Sequence, residues 1–312
     1  MLQAAWDAGI RVFDTAPLYG CGLAEKRLGD FLSDKPRESY VISTKVGRRV
    51  NSPEPGLGPS FDTDTSTSPG CRFDFSYDGV MRSVEDSINR TGISNFDILL
   101  IHDPDSHMFE AKLHAYKALD KLRAEGVVTA VGAGMNQNEA LAELVDECDL
   151  DIILLAGRYT ILDHSALTEL LPICQNRGTT VLIGGVFNSG VLNNPVEGAH
   201  FDYLPLDDKW RQRALTVGAR VPKAFESGSY WLERAQSILA ICDRHHVPIH
   251  AVALQFAAAH PLVSSIIVGV GRSFRFQQNI DAIGMKIPAS VWQELRAAGL
   301  LAQDAPIPAE VD

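Results

Sequence analysis

Four residues, Asp14, Tyr19, Lys45 and His102, have the types needed to move a proton on or off an oxygen while the bond at the neighbouring carbon changes. A phenol is a weak acid, with an ordinary pKa near ~10. A nearby ammonium stabilises its phenolate, and a carboxylate can hold that ammonium in place. A histidine can supply a hydrogen bond to a carbonyl oxygen. Asp14 and Lys45 each end a β-branched run, Tyr19 follows Asp14 in the turn APLYG, and His102 ends a further run, DILLIH. Singly, each has a plainer reading: a packed or surface tyrosine, a structural Asp–Lys ion pair, a satisfied buried imidazole. The shared placement at strand ends keeps the catalytic reading open beside these.

Something must bring those ends together. Seven short apolar runs alternate with amphipathic stretches: residues 11–15, 40–46, 97–102, 127–132, 151–156, 180–184 and 265–270. Their lack of strict polar alternation suits parallel strands buried on both faces. Helical patterns fall at about 23–33, 78–91, 110–125, 137–147, 165–177, 230–260, 273–283 and 288–301, and Pro248 should split the long one. Strand then helix, repeated, predicts a parallel α/β protein. No G-x-G-x-x-G follows a strand, so the usual dinucleotide fold lacks its fingerprint. Polar residues instead sit at or just beyond several strand ends (Asp14, Lys45, His102, Asn136, Arg158), which favours a (β/α)8 TIM barrel whose strand ends converge on one mouth. The chain opens inside what reads as the helix after a first strand. The expectation is therefore one barrel domain over 1–312 lacking its first strand at the N-terminus, through a start-site error, a truncation or a real variation. Residues 48–77 and 192–229 are the least regular stretches.

The chain has 312 residues, 46% hydrophobic and 21% charged, an ordinary globular composition. Its formal net charge of −11 makes nucleic acid and anionic membrane poor partners. No apolar run approaches the ~18 residues of a membrane span, and MLQAAWDAGIR lacks the layout of a signal peptide. The five cysteines are scattered without C-x-x-C and read as reduced thiols in a cytoplasmic protein, with Cys21 either reactive or passive. His102, Asp103, Asp105 and His107 read as a turn rather than a metal site, and Pro248 interrupts the spacing between His246 and His250, so no metal is expected.

The segment AWDAGIRVFDTAPLYGCGLAEKRLGDFL resembles the opening of the aldo-keto reductases. YVISTKVGR is similar to that family's lysine strand and DILLIHDPD to its histidine strand, in the family's order and spacing. FDFSYDGVMRSVEDSINRTG resembles the branch containing D-threo-aldose (L-fucose) 1-dehydrogenases and pyridoxal 4-dehydrogenases. The resemblance covers essentially the whole chain. It implies a (β/α)8 barrel binding NAD or NADP across its mouth, with Tyr19 as general acid–base tuned by Lys45 and Asp14, and His102 orienting the substrate oxygen.

For the cofactor, the resemblance implies Asn136 on the nicotinamide amide, and Gly185, Val186, Phe187, Asn188, Ser189 and Gly190 around the pyrophosphate. Gly269, Val270, Gly271, Arg272, Gln278 and Asn279 would grip the adenosine half. Read alone, a glycine-rich stretch after a strand is a turn. Two positions depart from the family pattern. Ala156 stands where a glutamine is usual, with Arg158 nearby, and Gly184 stands where an aromatic usually stacks, leaving Phe187 as the substitute. The usual lysine–serine pair for a 2′-phosphate is replaced near Gly269 and Val270, although Arg272 and Arg275 remain, and NAD is favoured. Trp210 and Trp231 either line a substrate pocket or pack the late irregular segment.

The function expected is hydride transfer between nicotinamide and a small carbonyl or cyclic hemiacetal: oxidation of an aldose at C1, or of pyridoxal to its lactone. The alternatives are a non-catalytic dinucleotide-binding regulatory protein and an inactive truncated fragment. The partners expected are a small sugar, aldehyde or pyridoxal and, at most, copies of the chain in a small homo-oligomer.

Overall fold

The computed structural model describes residues 1–50, 71–192, 229–270 and 273–309. The chain divides into two compact units, Met1–Leu154 with Pro172–Val181, and Leu155–Leu171 with Leu182–Asp312.

The first unit opens with α1 (Leu2–Asp7), β1 (Val12–Asp14), α2 (Leu23–Leu32) and β2 (Val41–Val46). A short antiparallel hairpin follows, β3 (Arg48–Val50) with β4 (Cys71–Phe73), then α3 (Tyr77–Thr91) and β5 (Ile98–His102). Next come α4 (Met108–Glu110), widened through a π turn at Ala111–Ala115 into α5 (Tyr116–Ala124), then β6 (Ala130–Met135) and α6 (Asn138–Glu147). Strands β7 (Ile152–Ala156) and β8 (Thr180–Gly184), and α7 (Leu170–Arg177) between them, contribute to both units. The second unit adds α8 (Ser229–Arg244), α9 (Ile249–Ala258), β9 (Val263–Ile267), α10 (Ser273–Ile283) and α11 (Ala289–Ala297).

Seven strands form the main sheet in the order β1-β2-β5-β6-β7-β8-β9. The registered neighbours β1–β2, β2–β5 and β5–β6 are all parallel, with Asp14 opposite Ser43, Lys45 opposite Leu100, and His102 opposite Gly134. Lys45 thus lies two residues beyond the partner of Asp14, and His102 two residues beyond the partner of Lys45, so Asp14, Lys45 and His102 emerge at the same edge.

Side chains at the opposite edge fix this register. The Asp97 carboxylate, just before β5, accepts from Ile42 N at 2.7 Å and pairs with Arg37 at 2.7 Å. Asp151, just before β7, repeats the device, accepting from Val131 N at 2.8 Å and pairing with Arg123 at 2.9 Å. These are the leading aspartates of the runs DILLIH and DIILLA. Glycine permits the close approach of β6 to β7: a Cβ at Gly132 would lie 1.6 Å from the Ile152 carbonyl oxygen. At the start of the unit, Trp6 stacks against Phe13 at 6.3 Å and meets Phe31 and Tyr40 edge-on, with the Arg11 guanidinium 3.9 Å from the Trp6 ring centre.

The strand expected at 127–132 forms instead at Ala130–Met135. The chain first closes α5 through Gly126, at φ +71°, with Val127 N donating back to the Leu122 carbonyl, and the ladder starts only where Thr129 N and Ala130 N reach the Asp97 carbonyl, at 3.2 and 2.9 Å. The strand expected at 265–270 forms at Val263–Ile267, because a tight turn from His260 O to Val263 N launches it two residues early. The long helix splits as Pro248 requires, Pro248 becoming the residue before α9. The hairpin β3–β4 falls inside a stretch read as irregular.

Candidate active site

The four chemistry-bearing residues meet within the first unit. Lys45 Nζ lies 2.6 Å from Asp14 Oδ2 and donates to the Thr15 carbonyl at 2.9 Å. Both charged side chains are buried, Lys45 at 1% and Asp14 at 4% exposure. The ammonium also donates to the Tyr19 hydroxyl and stands 4.7 Å from that ring's centre. Tyr19 is carried on the turn that leaves β1 and enters α2, held by backbone bonds from Tyr19 N to Ala16 O and Ala24 N to Tyr19 O. Its ring meets the His102 imidazole edge-on, at 90° and 5.8 Å between centres.

Burial sets the proton affinities. It is the largest influence on Tyr19 and raises its pKa above the ordinary phenol value, and Asp14 and Asp103 add to the rise. The Lys45 charge and hydrogen bond pull the other way without winning. The sequence reading credited lysine with lowering this pKa, and the net direction in the free protein is upward because the phenolate would lose its water. For Lys45 itself burial favours the neutral amine, yet Asp14 and Tyr19 together raise its pKa above the usual lysine value. His102 is driven well below the ordinary imidazole value, first by burial and then by the Lys45 and Arg48 charges. It is therefore neutral at physiological pH and has one ring N–H to give. Its Nδ1 is buried and has no hydrogen-bond partner among the described residues.

Sequence reasoning missed a second layer. Arg48 reaches Asp103 with an Nη2–Oδ2 distance of 2.8 Å, and the same carboxylate oxygen lies 3.6 Å from His102 Nε2. The pair spans 55 residues, so no local spacing announces it. Behind Tyr19, the Cys21 and Cys71 sulfurs touch at 3.6 Å. Among the described residues no group of three or more His, Cys, Asp or Glu is arranged to hold a metal ion.

The residues expected around a dinucleotide fall in both units. In the first, Asn136 follows β6 directly and is half-buried. In the second, residues 185–190 form a compact turn after β8. Phe187 is right-handed (φ −101°, ψ 7°), while Asn188 and Ser189 are left-handed at φ +46° and +54°. Right-handed followed by left-handed backbone turns successive N–H groups to one side, the geometry of an anion-binding nest. Asn188 is buried and ties the turn down, its amide donating to the Gly157 carbonyl at 3.2 Å; Val186 is buried beside it, and Gly185 and Ser189 are exposed. Gly269 and Val270 follow β9, and Gln278 and Asn279 lie on α10. Arg158 stands 3.9 Å from Asp163, and Trp231 is buried on α8. Trp210, Gly271 and Arg272 lie outside the described residues.

Comparison with known proteins decides the family. The aldo/keto reductase family matches residues 1–299. The chain belongs to it. The chain is 41% identical, over 96% of its length and 87% of the relative's, to a D-threo-aldose 1-dehydrogenase from a Pseudomonas species. It is 39% identical, with the same coverage, to a pyridoxal 4-dehydrogenase from Microbacterium luteolum. Among solved structures it resembles the holo form of an aldo-keto reductase from Bacillus halodurans, at 20% identity and a TM-score of 0.67, over all of this chain and 87% of that one. A glycerol dehydrogenase from Gluconobacter oxydans gives 20% and 0.68, with 86% of that chain covered. The parallel α/β barrel type expected from the order of elements is the fold shared with these aldo-keto reductases, and the chain is an oxidoreductase of this family. Among the described residues no helix is long and apolar enough to cross a membrane.

Proposed function

We propose that this aldo-keto reductase oxidises a cyclic hemiacetal to a lactone with NAD or NADP, NAD being favoured, its substrate being an aldopyranose closed at C1 or pyridoxal in its hemiacetal form. The carrying observation is the buried Lys45 ammonium, which touches both Asp14 and the Tyr19 hydroxyl beside a neutral His102. The two relatives, named for an aldose and for pyridoxal, support one chemistry, since each substrate can present a ring-bound hydroxyl on the carbon to be oxidised.

Tyr19 takes the hydroxyl proton of the hemiacetal as its phenolate, Lys45 stabilises that phenolate, and Asp14 anchors Lys45. His102, neutral, donates a hydrogen bond to the reacting oxygen. A nicotinamide dinucleotide held there would supply the hydride acceptor for the carbon being oxidised. The nest at 187–189 suits a pyrophosphate, and Asn136, Gly269, Val270, Gln278 and Asn279 are the further candidates to hold the dinucleotide, with Trp231 a candidate for the substrate side. The test is formation of reduced nicotinamide from NAD or NADP with L-fucose, D-arabinose, L-galactose and pyridoxal, at neutral and alkaline pH. Turnover with a sugar or pyridoxal sustains the reading. Dinucleotide binding with no turnover over the panel favours a regulatory role instead.

A further inference from the structure

We propose that Arg48 and Asp103 form a positioning pair that keeps the His102 imidazole neutral and correctly aimed, Arg48 acting on the ring both by its own charge and through the Asp103 carboxylate it holds. The inference rests on the reading of His102 as the group that faces the substrate oxygen.

The backbone is shaped to bring this pair to His102. Asp103 follows β5 at φ +44°, a left-handed conformation that is unusual for a residue with a side chain. Its N–H is held by the Gly134 carbonyl at 3.0 Å. That turn folds the carboxylate back until Oδ2 is 3.6 Å from His102 Nε2, too far for a hydrogen bond but within ion-pair reach of a protonated ring. Arg48 comes from the start of β3. It follows Gly47, at φ +95°, where a Cβ would lie 2.1 Å from the Phe75 ring, so only glycine lets the chain turn there from β2 into β3. The guanidinium then lies 4.7 Å from the Phe73 ring centre and 2.8 Å from Asp103 Oδ2.

The groups facing the ring can be named element by element. Lys45 comes from β2 and Arg48 from β3, both cationic, and Tyr19 comes from the turn after β1. Asp103 follows β5, with Asp105 acting on Asp103 in turn. Burial and Asp105 raise the Asp103 pKa, while Arg48 holds it down. Without Arg48, a poorly solvated carboxylate would face the imidazole with no adjacent guanidinium. The His102–Asp103 couple would then hold a proton more tightly, whichever atom carried it. A proton there spoils a neutral donor, or swings the ring toward Asp103 and away from substrate.

The test is the pH profile of kcat/KM for Arg48→Met, Arg48→Lys, Asp103→Asn and the double variant Arg48→Met/Asp103→Asn. It is read beside nuclear magnetic resonance titration of the His102 ring in the dinucleotide-free protein. Arg48→Met should move the His102 step of the acid limb, which lies below the Tyr19 rise, and the ring titration upward by about one pH unit, the scale of a close charge partner. Arg48→Lys should leave both near wild type, and the double variant should bring both back. Asp103→Asn alone, leaving two cations facing the ring, should move the ring titration down, and an unmoved titration there would overturn the proposal even if Arg48→Met folds poorly. A uniform loss of activity in Arg48→Met with an unmoved limb and an unmoved ring titration would make the pair merely structural and overturn the proposal. Full turnover in His102→Asn would overturn the underlying reading instead, and the ring titration of Arg48→Met distinguishes the two failures because it needs no turnover.

Discussion

Lys45 and Asp14 form an ion pair, 2.6 Å from Nζ to Oδ2, in which neither side chain is more than 4% exposed. Taking two charges out of water is costly, and such a pair is weak evidence for stability. Its use is chemical: it keeps the cation against the Tyr19 hydroxyl. Lys45→Met should therefore do two separable things. It strands a buried carboxylate, which should destabilise the protein by about 3–5 kcal/mol in urea unfolding. It also removes a cation that holds the phenol pKa down, so the remaining oxidation activity should fall and need a more alkaline pH. If Lys45→Met kept the wild-type pH profile, Lys45 would not be tuning Tyr19.

The Tyr19 phenol makes a second prediction. Its pKa is raised by burial, so near neutral pH the free protein holds it protonated. Oxidation needs the phenolate, whose fraction grows tenfold with each pH unit below the pKa. The rate of hemiacetal oxidation should therefore rise from neutral into alkaline pH, while the reverse reduction, which needs the protonated phenol, should not. Tyr19→Phe should leave dinucleotide affinity nearly unchanged and remove most turnover. A Tyr19→Phe enzyme retaining more than about a tenth of wild-type kcat, under about 1.4 kcal/mol of barrier, would end the acid–base assignment.

How far the sequence reached follows from the range of each signal. The runs that became β1, β2, β5, β7 and β8 were legible because strands buried on both faces are apolar throughout, and Asp14, Lys45 and His102 because they end such runs. The start of β6 was misplaced because its first valines belong to the turn off α5, and only the Asp97 carbonyl marks where pairing begins. The hairpin carrying Arg48 stayed hidden because each of its strands has three residues and they pair across a long insertion. The Arg48–Asp103 contact and the touching sulfurs of Cys21 and Cys71 are tertiary facts with no periodicity to announce them. The direction of the Tyr19 shift was lost for a related reason: composition reveals the neighbouring charge but not the degree of burial.

Acid should destabilise the fold by way of its buried histidines. His102 is held well below its ordinary value, mainly by burial, and burial also lowers His164. Where the unfolded chain binds a proton that the folded one refuses, stability falls as pH drops. The window opens just below the unfolded imidazole value of about 6.5 and continues down to the folded value. Each such group contributes up to about 1.4 kcal/mol per pH unit across it. Urea midpoints measured downward from neutral pH should fall accordingly, and His102→Gln should flatten the slope. An unchanged slope would mean that His102 is protonated in the folded protein, contrary to its role as a neutral donor.

Cys21, two residues beyond Tyr19, decides whether thiol chemistry bears on this site. All five cysteines are buried and none is bonded to another. Burial, then the Cys21 contact, pushes the Cys71 thiol up to about 12, and burial leaves Cys174 and Cys242 at about 12 and Cys148 at about 11. The thiolate is the nucleophile, and a thiol titrating near 12 offers roughly one thiolate in 10⁵ at neutral pH. Cys21 shares the buried contact, with its sulfur 3.6 Å from that of Cys71, so a reagent reaches it only when the Tyr19 turn or the hairpin opens. Iodoacetamide should therefore modify the native protein slowly, without preference for Cys21, and all five thiols should react once the chain is unfolded. Rapid labelling of Cys21 with matching loss of turnover would show that the turn carrying Tyr19 opens readily, and the buried, raised phenol would then not describe the working enzyme.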